Sequence, residues 1–243
     1  MAYFLHVFHE ILYRPIFNAL IFFYTHFSFG DLGIAIILLT VFIRLVLFPL
    51  FYKGAKDQAI IQRLAPRVKE LQKIHKGNRE AHAKALMDLY REHKINPLSG
   101  FLLLLVQLPI LIALYQVFIR SLNGSKLIGL YSFVPSPGVI NPVFLHFINL
   151  AHTNIVMAVV AGALQYWQSK LMFPSKATAD PTAKMMQYQT LYFLPAVTIL
   201  LGIRFPAGLT LYWVITNLFG IGQQYYILRK EEEVVEEVID ASK

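Results

Sequence analysis

LTVFIRLVLFPL, residues 39–50, is the stretch that decides the fold, because it places one cation, Arg44, near the middle of the otherwise apolar run 32–52. A run of that length and composition reads as a membrane-spanning helix. No Asp or Glu occurs between Asp31 and Asp57, between Glu92 and Asp180, or between Asp180 and Glu231. Arg44 therefore has no acid on any long apolar segment to neutralise it. A guanidinium cannot shed its charge, and one at the centre of a spanning helix costs roughly 2.5–3.5 kcal/mol on insertion scales. At about 1.5 Å per residue it lies ~12 Å inside the Tyr52 end of the helix, further than its side chain comfortably reaches. The functional reading is a water-filled cavity within the membrane that receives a polar or acidic guest. The competing reading is an arginine that snorkels to the nearer interface and does nothing else.

Composition points the same way. The 243 residues are 56% hydrophobic and 15% charged, with a mean hydropathy of +0.53 and a net charge of +8, outside the range of soluble globular domains. The fold class expected is an all-α polytopic membrane protein. There is no cysteine, which excludes disulfides, thiolate metal sites and thiol redox chemistry. The chain opens MAYFLHVFHE, its first basic residue is Arg14 and no small-residue cleavage pattern follows. That argues against a secretory signal or transit peptide and makes residue 1 the expected start.

Five segments have the length and character of spans: 31–52, 98–120, 150–172, 188–203 and 209–228. Their connections alternate in charge. Residues 53–97 carry eleven Lys/Arg against five acids, the connection 173–187 has Lys176 and Lys184 with Lys170 just before it, and the last span ends at Arg229 and Lys230. The connection 121–149 holds only Lys126, and the turn 204–208 only Arg204. Basic loops stay on the cytoplasmic side, so the expected topology is N-terminus outside and C-terminus cytoplasmic. Residues 1–30 are apolar and aromatic, but Arg14-Pro15 is expected to interrupt them, which favours an extracytoplasmic interfacial amphipathic helix over a sixth span.

Residues 53–97 read as a cytoplasmic basic helical hairpin broken at Lys76-Gly77-Asn78. Ile60, Leu64, Val68 and Leu71 recur at helical spacing on its first arm, and Ala83, Leu86, Met87 and Tyr90 on its second. Pro66 is expected to bend the first arm or mark its first turn. Arg63, Arg67, Lys69, Lys73, Arg79 and Lys84 occupy the opposite faces, suited either to anionic lipid or to an RNA-bearing partner. Residues 229–243 form an acidic cytoplasmic tail, expected to be mobile. No internal repeat is apparent, which weakens inverted-repeat transporter folds.

Other polar residues fall within the spans: Thr40 one turn from Arg44 and on its face, then Gln107, Gln165, Gln168, Tyr212, Trp213, Thr216 and Asn217. Taken singly, an amide in a membrane is more often helix–helix glue than a site residue. Arg44 lifts the set, because it needs such neighbours to hold water.

Three stretches in register resemble one known family. LTVFIRLVLFPL (39–50), KINPLSGFLLLLVQLPILIALYQV (94–117) and FPAGLTLYWVITNLFGIGQQ (205–224), with the charged hairpin between the first two and Asp180-Pro181 before the last, closely resemble the YidC family of membrane protein insertases. The likeness covers about residues 10–229. It implies five transmembrane helices around a hydrophilic groove open to the cytoplasm and to lipid but closed outside. Arg44 matches the family's groove arginine and Thr40 a polar residue one turn away. Tyr212 and Trp213 match an aromatic pair in substrate contact, and Gln168 a polar position near the cytoplasmic end of the third span. Asn96, Pro97, Leu98 and Gly100 match the start of the second span. The implied partners are nascent membrane proteins and the lipid bilayer, with ribosomes, targeting factors and the Sec translocon at the hairpin. The implied location is a bacterial inner membrane. Two departures stand out: nothing here matches the large extracytoplasmic domain and preceding span of some relatives, and Ser99 stands where many have glycine.

The function expected is therefore an insertase and chaperone, not an enzyme, which takes nascent membrane proteins into an Arg-containing groove and releases their apolar helices sideways into lipid. No nucleotide loop or magnesium-binding carboxylate set is present, and no cofactor, metal or direct DNA contact is expected. The rival is a small-solute or anion channel or transporter in which Arg44 binds the anion. The pairs His6 and His9, and His146 and His152, lack a third metal ligand.

Overall fold

The computed structural model describes residues 6–96, 99–122, 129–172, 185 and 187–240. Pro97, Leu98, Lys126, Lys176, Asp180, Pro181 and Lys184, invoked above, lie outside the described residues. The architecture is mostly helical. In chain order it comprises α1 (Arg14–His26), α2 (Leu32–Val46), α3 (Phe48–Arg63), α4 (Ala65–Ile74), α5 (Arg79–Glu92), α6 (Ser99–Leu122), the strands β1 (Val143–Phe144) and β2 (Ile148–Asn149), α7 (Ile155–Met172), α8 (Leu194–Gly202) and α9 (Ala207–Asp240). The two strands pair antiparallel, Val143 with Asn149 and Phe144 with Ile148.

Arg14-Pro15 does not break the first helix. Residues 6–26 are helical throughout, with a π-helical turn, His9–Tyr13, before α1. In that turn the Arg14 N–H reaches back to the His9 carbonyl, a wider ring that leaves room for a following proline with no N–H to give. The same device recurs before Pro195, where the turn Gln189–Phe193 ends with the Leu194 N–H on the Gln189 carbonyl. Pro66 marks the first turn of α4. The tail expected to be mobile continues α9 as helix to Asp240, in keeping with a Glu-rich sequence free of glycine and proline.

The first predicted span is not straight. It divides at Leu47, just before Phe48-Pro49, and α2 meets α3 at 66°. Among the described residues no single helix is both long and apolar enough to cross a membrane alone, whereas this bent pair meets that requirement together.

Helix α9 is the centre of the bundle and touches α2, α3, α6, α7 and α8. Leu20, Ile21, Leu32, Ile36, Leu114 and Leu209 form the main core where α1, α2, α6 and α9 meet. Helices α7 and α8 approach through small residues. A Cβ at Gly202 would come within 2.8 Å of the Ala158 Cβ, and one at Gly162 would run into the Ile199 side chain. Close backbone approach of this kind is how helices associate in lipid, where burial of apolar surface gives no advantage.

Helix α1 also fastens the 129–149 connection. Buried Asn18 accepts from the Tyr131 N–H at 2.6 Å and donates to the carbonyls of Arg14 and Gly129 at 2.8 and 3.1 Å. The Tyr24 hydroxyl accepts from the Asn141 N–H at 3.0 Å. Asp31 caps α2 through the Ile34 N–H and with its other oxygen accepts from the Leu145 N–H. The Arg14 guanidinium lies over the Tyr131 ring and 3.0 Å from Glu10, whose carboxyl it holds below the ordinary range.

Asn18→Ala leaves the Tyr131 N–H without a side-chain acceptor, at a cost of roughly 1–3 kcal/mol. The expected outcome is a lower unfolding temperature in detergent and faster proteolysis within 129–149; parent-like cleavage would show that the clamp does not hold the loop.

Candidate functional site

Arg44 is in the last turn of α2, and the burial pattern of that helix carries it inward with Thr40, one turn earlier on the same face. The Thr40 hydroxyl bonds back to the Ile36 carbonyl at 2.6 Å, so its hydrogen is committed within the helix. Arg44 itself is only 8% exposed. Among the described residues no carboxylate pairs with it. Two aromatic side chains stand beside it instead. The Phe51 ring, from α3 beyond the bend, lies with its centroid 4.4 Å from the guanidinium carbon. Tyr212, buried on α9, is within electrostatic reach. The Phe51 ring face lies over the guanidinium. The negative face of the ring compensates part of the charge, an attraction worth about 2 kcal/mol when desolvated.

Tyr212 connects this cation to a third helix, since the Gln107 side-chain amide of α6 donates to its hydroxyl. Buried Arg44, Thr40 and Tyr212 and half-buried Gln107 thus form one polar cluster at the junction of α2, α6 and α9. The other predicted site residues lie elsewhere. Asn217 donates to the Ala161 carbonyl at 3.1 Å, joining α9 to α7. Gln168 fills the space in which Gly220 lacks a side chain, again between α7 and α9. Gln165 is half-buried on α7, and Trp213 packs at the core edge against Phe205, with ring centroids 6.3 Å apart. Asn217 and Gln168 therefore act as helix–helix contacts, whereas the Arg44 cluster has the makings of a site.

Three contributors were not identified in the sequence. Phe51 is one; nothing in its local pattern distinguishes it from the aromatic residues around it. Asp57 and Ser99 are the others. Asp57 is 6% exposed on α3 and accepts a hydrogen bond from the Ser99 hydroxyl in the first turn of α6. A carboxylate suits that position, because the first turn of a helix presents unpaired N–H groups and a positive dipole end. The bond also gives Ser99 a role that glycine could not fill.

The basic hairpin has its own small core of Leu64, Leu89 and Ile95, with Ile60, Val68, Leu71 and Tyr90 packed against it. The first-arm stripe is as the periodicity predicts, but on the second arm the seam runs through Leu89 and Tyr90, leaving Ala83 and Met87 exposed. Arg63, Arg67, Lys73, Arg79 and Lys84 are exposed and Lys69 half-buried. Among the described residues no three His, Asp or Glu side chains converge as metal ligands.

The family model of the 60Kd inner membrane proteins matches residues 22–234. Membrane protein insertase YidC of Francisella tularensis subsp. novicida (strain U112) is 38% identical over 204 residues, covering 84% of this chain and 34% of its own length. The same figures hold for the insertase YidC of Francisella tularensis subsp. tularensis (strain SCHU S4 / Schu 4). The chain thus spans about a third of the length of these curated relatives. Among solved structures, a crystal structure of an active YidC insertase with its first transmembrane domain resolved superposes with a TM-score of 0.60 at 25% identity, covering 88% of this chain and 46% of that one.

Gln107→Leu and Tyr212→Phe each remove one side of the α6–α9 hydrogen bond. In a double-mutant cycle read by thermal unfolding in detergent, they are expected to couple by roughly 0.5–1.5 kcal/mol. Additive losses would mean that the two side chains are neighbours without a working bond.

Proposed function

Because the chain belongs to the 60Kd inner membrane protein family, that of the YidC insertases, we propose that it inserts nascent membrane proteins into a bacterial inner membrane. The observation that carries this reading is Arg44, a permanent charge with no acid partner among the described residues, held at the junction of three helices beside Tyr212 and Gln107. Such a charge is a standing acceptor for an anionic or strongly polar group from outside the chain.

The step proposed begins when the polar or acidic outer segment of a substrate enters from the cytoplasmic side and meets the Arg44 cluster. That contact lowers the cost of carrying polar groups part-way across. The apolar helix of the substrate then moves sideways into lipid, where burial at about 25 cal/mol per Å² of apolar surface supplies the driving force. In this scheme no nucleotide is hydrolysed and no bond is made or broken by the protein. The spans are 31–52, 98–120, 150–172, 188–203 and 209–228, with the N-terminus outside and the C-terminus inside, as the loop charges require. The first of them bends at Leu47, so the part following the bend leads directly into the hairpin. Residues 6–30 lie along the outer interface, and the 129–149 loop that α1 holds closes the outer end of the bundle.

The exposed bases Arg67, Lys73, Arg79 and Lys84 make the hairpin the docking surface for a polyanionic partner, for which a ribosome presenting the nascent chain is the natural candidate. Targeting factors and the Sec translocon are further partners of the same surface.

Arg44→Lys is expected to retain insertion of substrates with charged outer segments in a depletion strain, and Arg44→Ala to lose most of it. Equal insertion by the two variants would remove the charge argument, and anion flux through the purified protein in liposomes would favour the channel reading. For the hairpin, combined reversal of Arg67, Lys73 and Lys84 to Glu should weaken ribosome co-sedimentation and flatten its salt dependence; an unchanged profile would exclude that surface.

A further inference from the structure

Phe51 lies outside α2 yet covers the charge that α2 carries. Its ring sits 4.4 Å from the Arg44 guanidinium carbon, and between the two residues is the 66° bend at Leu47. The position of the ring therefore depends on how α3 is set relative to α2. Leu47 is not in helical geometry, with φ −89 and ψ 2; its N–H donates to the Ile43 carbonyl of α2 and its carbonyl accepts from the Leu50 and Phe51 N–H groups of α3, so backbone hydrogen bonds alone carry the chain through the joint. Hinges are built from a few such element-terminal residues.

Helix α3 is held against the bundle farther along. Its Tyr52 ring faces that of Tyr226 on α9, with centroids 6.5 Å apart, and its Asp57 carboxylate takes the Ser99 hydroxyl of α6. Between these contacts α3 lies across both α6 and α9, the helices that supply Gln107 and Tyr212. Beyond them it runs into the basic hairpin through Leu64. A partner that moves the hairpin acts on α3, and α3 carries Phe51.

We propose that Phe51 is a specificity-determining gate over Arg44: a guest reaches the guanidinium only by displacing the ring, and a guest bearing a carboxylate does so more readily than an uncharged one. The ring and an incoming carboxylate compete for the same cation, and the carboxylate offers a full charge where the ring offers a quadrupole. An apolar guest offers neither and leaves the ring in place. The gating half of this proposal rests on geometry alone, while its substrate half rests on the insertase reading.

The chain contains no cysteine, so Thr40→Cys gives one thiol on the face of Arg44. The full-length protein in inside-out vesicles, without substrate, is treated with a membrane-impermeant charged maleimide and the labelling rate is measured. Phe51→Leu, which keeps the apolar bulk and removes the ring, is expected to raise that rate roughly two- to thirtyfold, the span set by the strength of a cation–ring contact. Phe51→Tyr should stay at the rate of the parent, and Phe51→Trp should not exceed it. An unchanged rate in Phe51→Leu, or a raised rate in Phe51→Trp, overturns the gate. In a second measurement, the insertion ratio of a substrate with Asp in its outer segment to its Asn counterpart should fall in Phe51→Leu. A ratio equal to that of the parent overturns the specificity role. Failure of every variant and the parent to insert would instead refute the insertase reading, and the labelling rates would still decide the gate.

Discussion

The constraint behind the rest of the structure is one guanidinium that cannot lose its proton and that pairs with no acid among the described residues. The protein surrounds Arg44 with partial charges: an aromatic face from Phe51, the hydroxyl dipole of Tyr212, and beyond it the Gln107 amide. None of these cancels the charge. A carboxylate on a neighbouring helix would satisfy it permanently, and an arginine so paired would have little left to offer a guest. The absence of Asp and Glu from the long apolar segments is thus the complement of the arginine.

The two sides of the bundle answer this demand differently. On one side, α7 and α8 lie close through Gly162, Gly202 and Ala158, and Asn217 ties α9 to the Ala161 carbonyl of α7. Close backbone contact and a helix-to-backbone hydrogen bond leave few alternative arrangements. On the other side, α2, α3 and α6 meet α9 through rings and isolated polar pairs, Tyr212 with Gln107 and Asp57 with Ser99. Contacts of that kind are each worth little net, since the separated groups find other partners. A rigid wall beside a wall held by exchangeable contacts is what a site needs if it is to admit helices of varied sequence without losing its own fold.

Much of this was legible in the sequence. The helical class, the basic hairpin with its first-arm stripe and the family likeness all rest on periodicity, charge and motif. Arg44 was legible because one charge in an apolar run contradicts its surroundings, and Thr40 followed from helical spacing. The cluster's other members needed tertiary geometry. Gln107, Gln168 and Asn217 are equivalent as polar residues in apolar segments, and only the contacts separate Gln107, which faces Tyr212, from the two that join α7 to α9. The prolines misled for a physical reason. Pro15 was expected to interrupt a helix, but a preceding π turn absorbs the missing donor, and a local rule that counts only four-residue rings does not anticipate it.

Phe48-Pro49 shows how little the local pattern constrains the long-range outcome. As sequence it continues an apolar span to Tyr52, and hydropathy has no reason to stop before it. A proline in the first turn of a helix is favourable, since the N–H it lacks would be unpaired there anyway. The chain accordingly ends α2 at Val46 and starts α3 at Phe48, turning by 66°. On one straight helix residues 44 and 51, seven apart, would lie about 10 Å apart along the axis. Across the bend the Phe51 ring lies over the Arg44 guanidinium. The bend also makes the cover of the charge part of α3, the segment that leads through Leu64 into the basic hairpin.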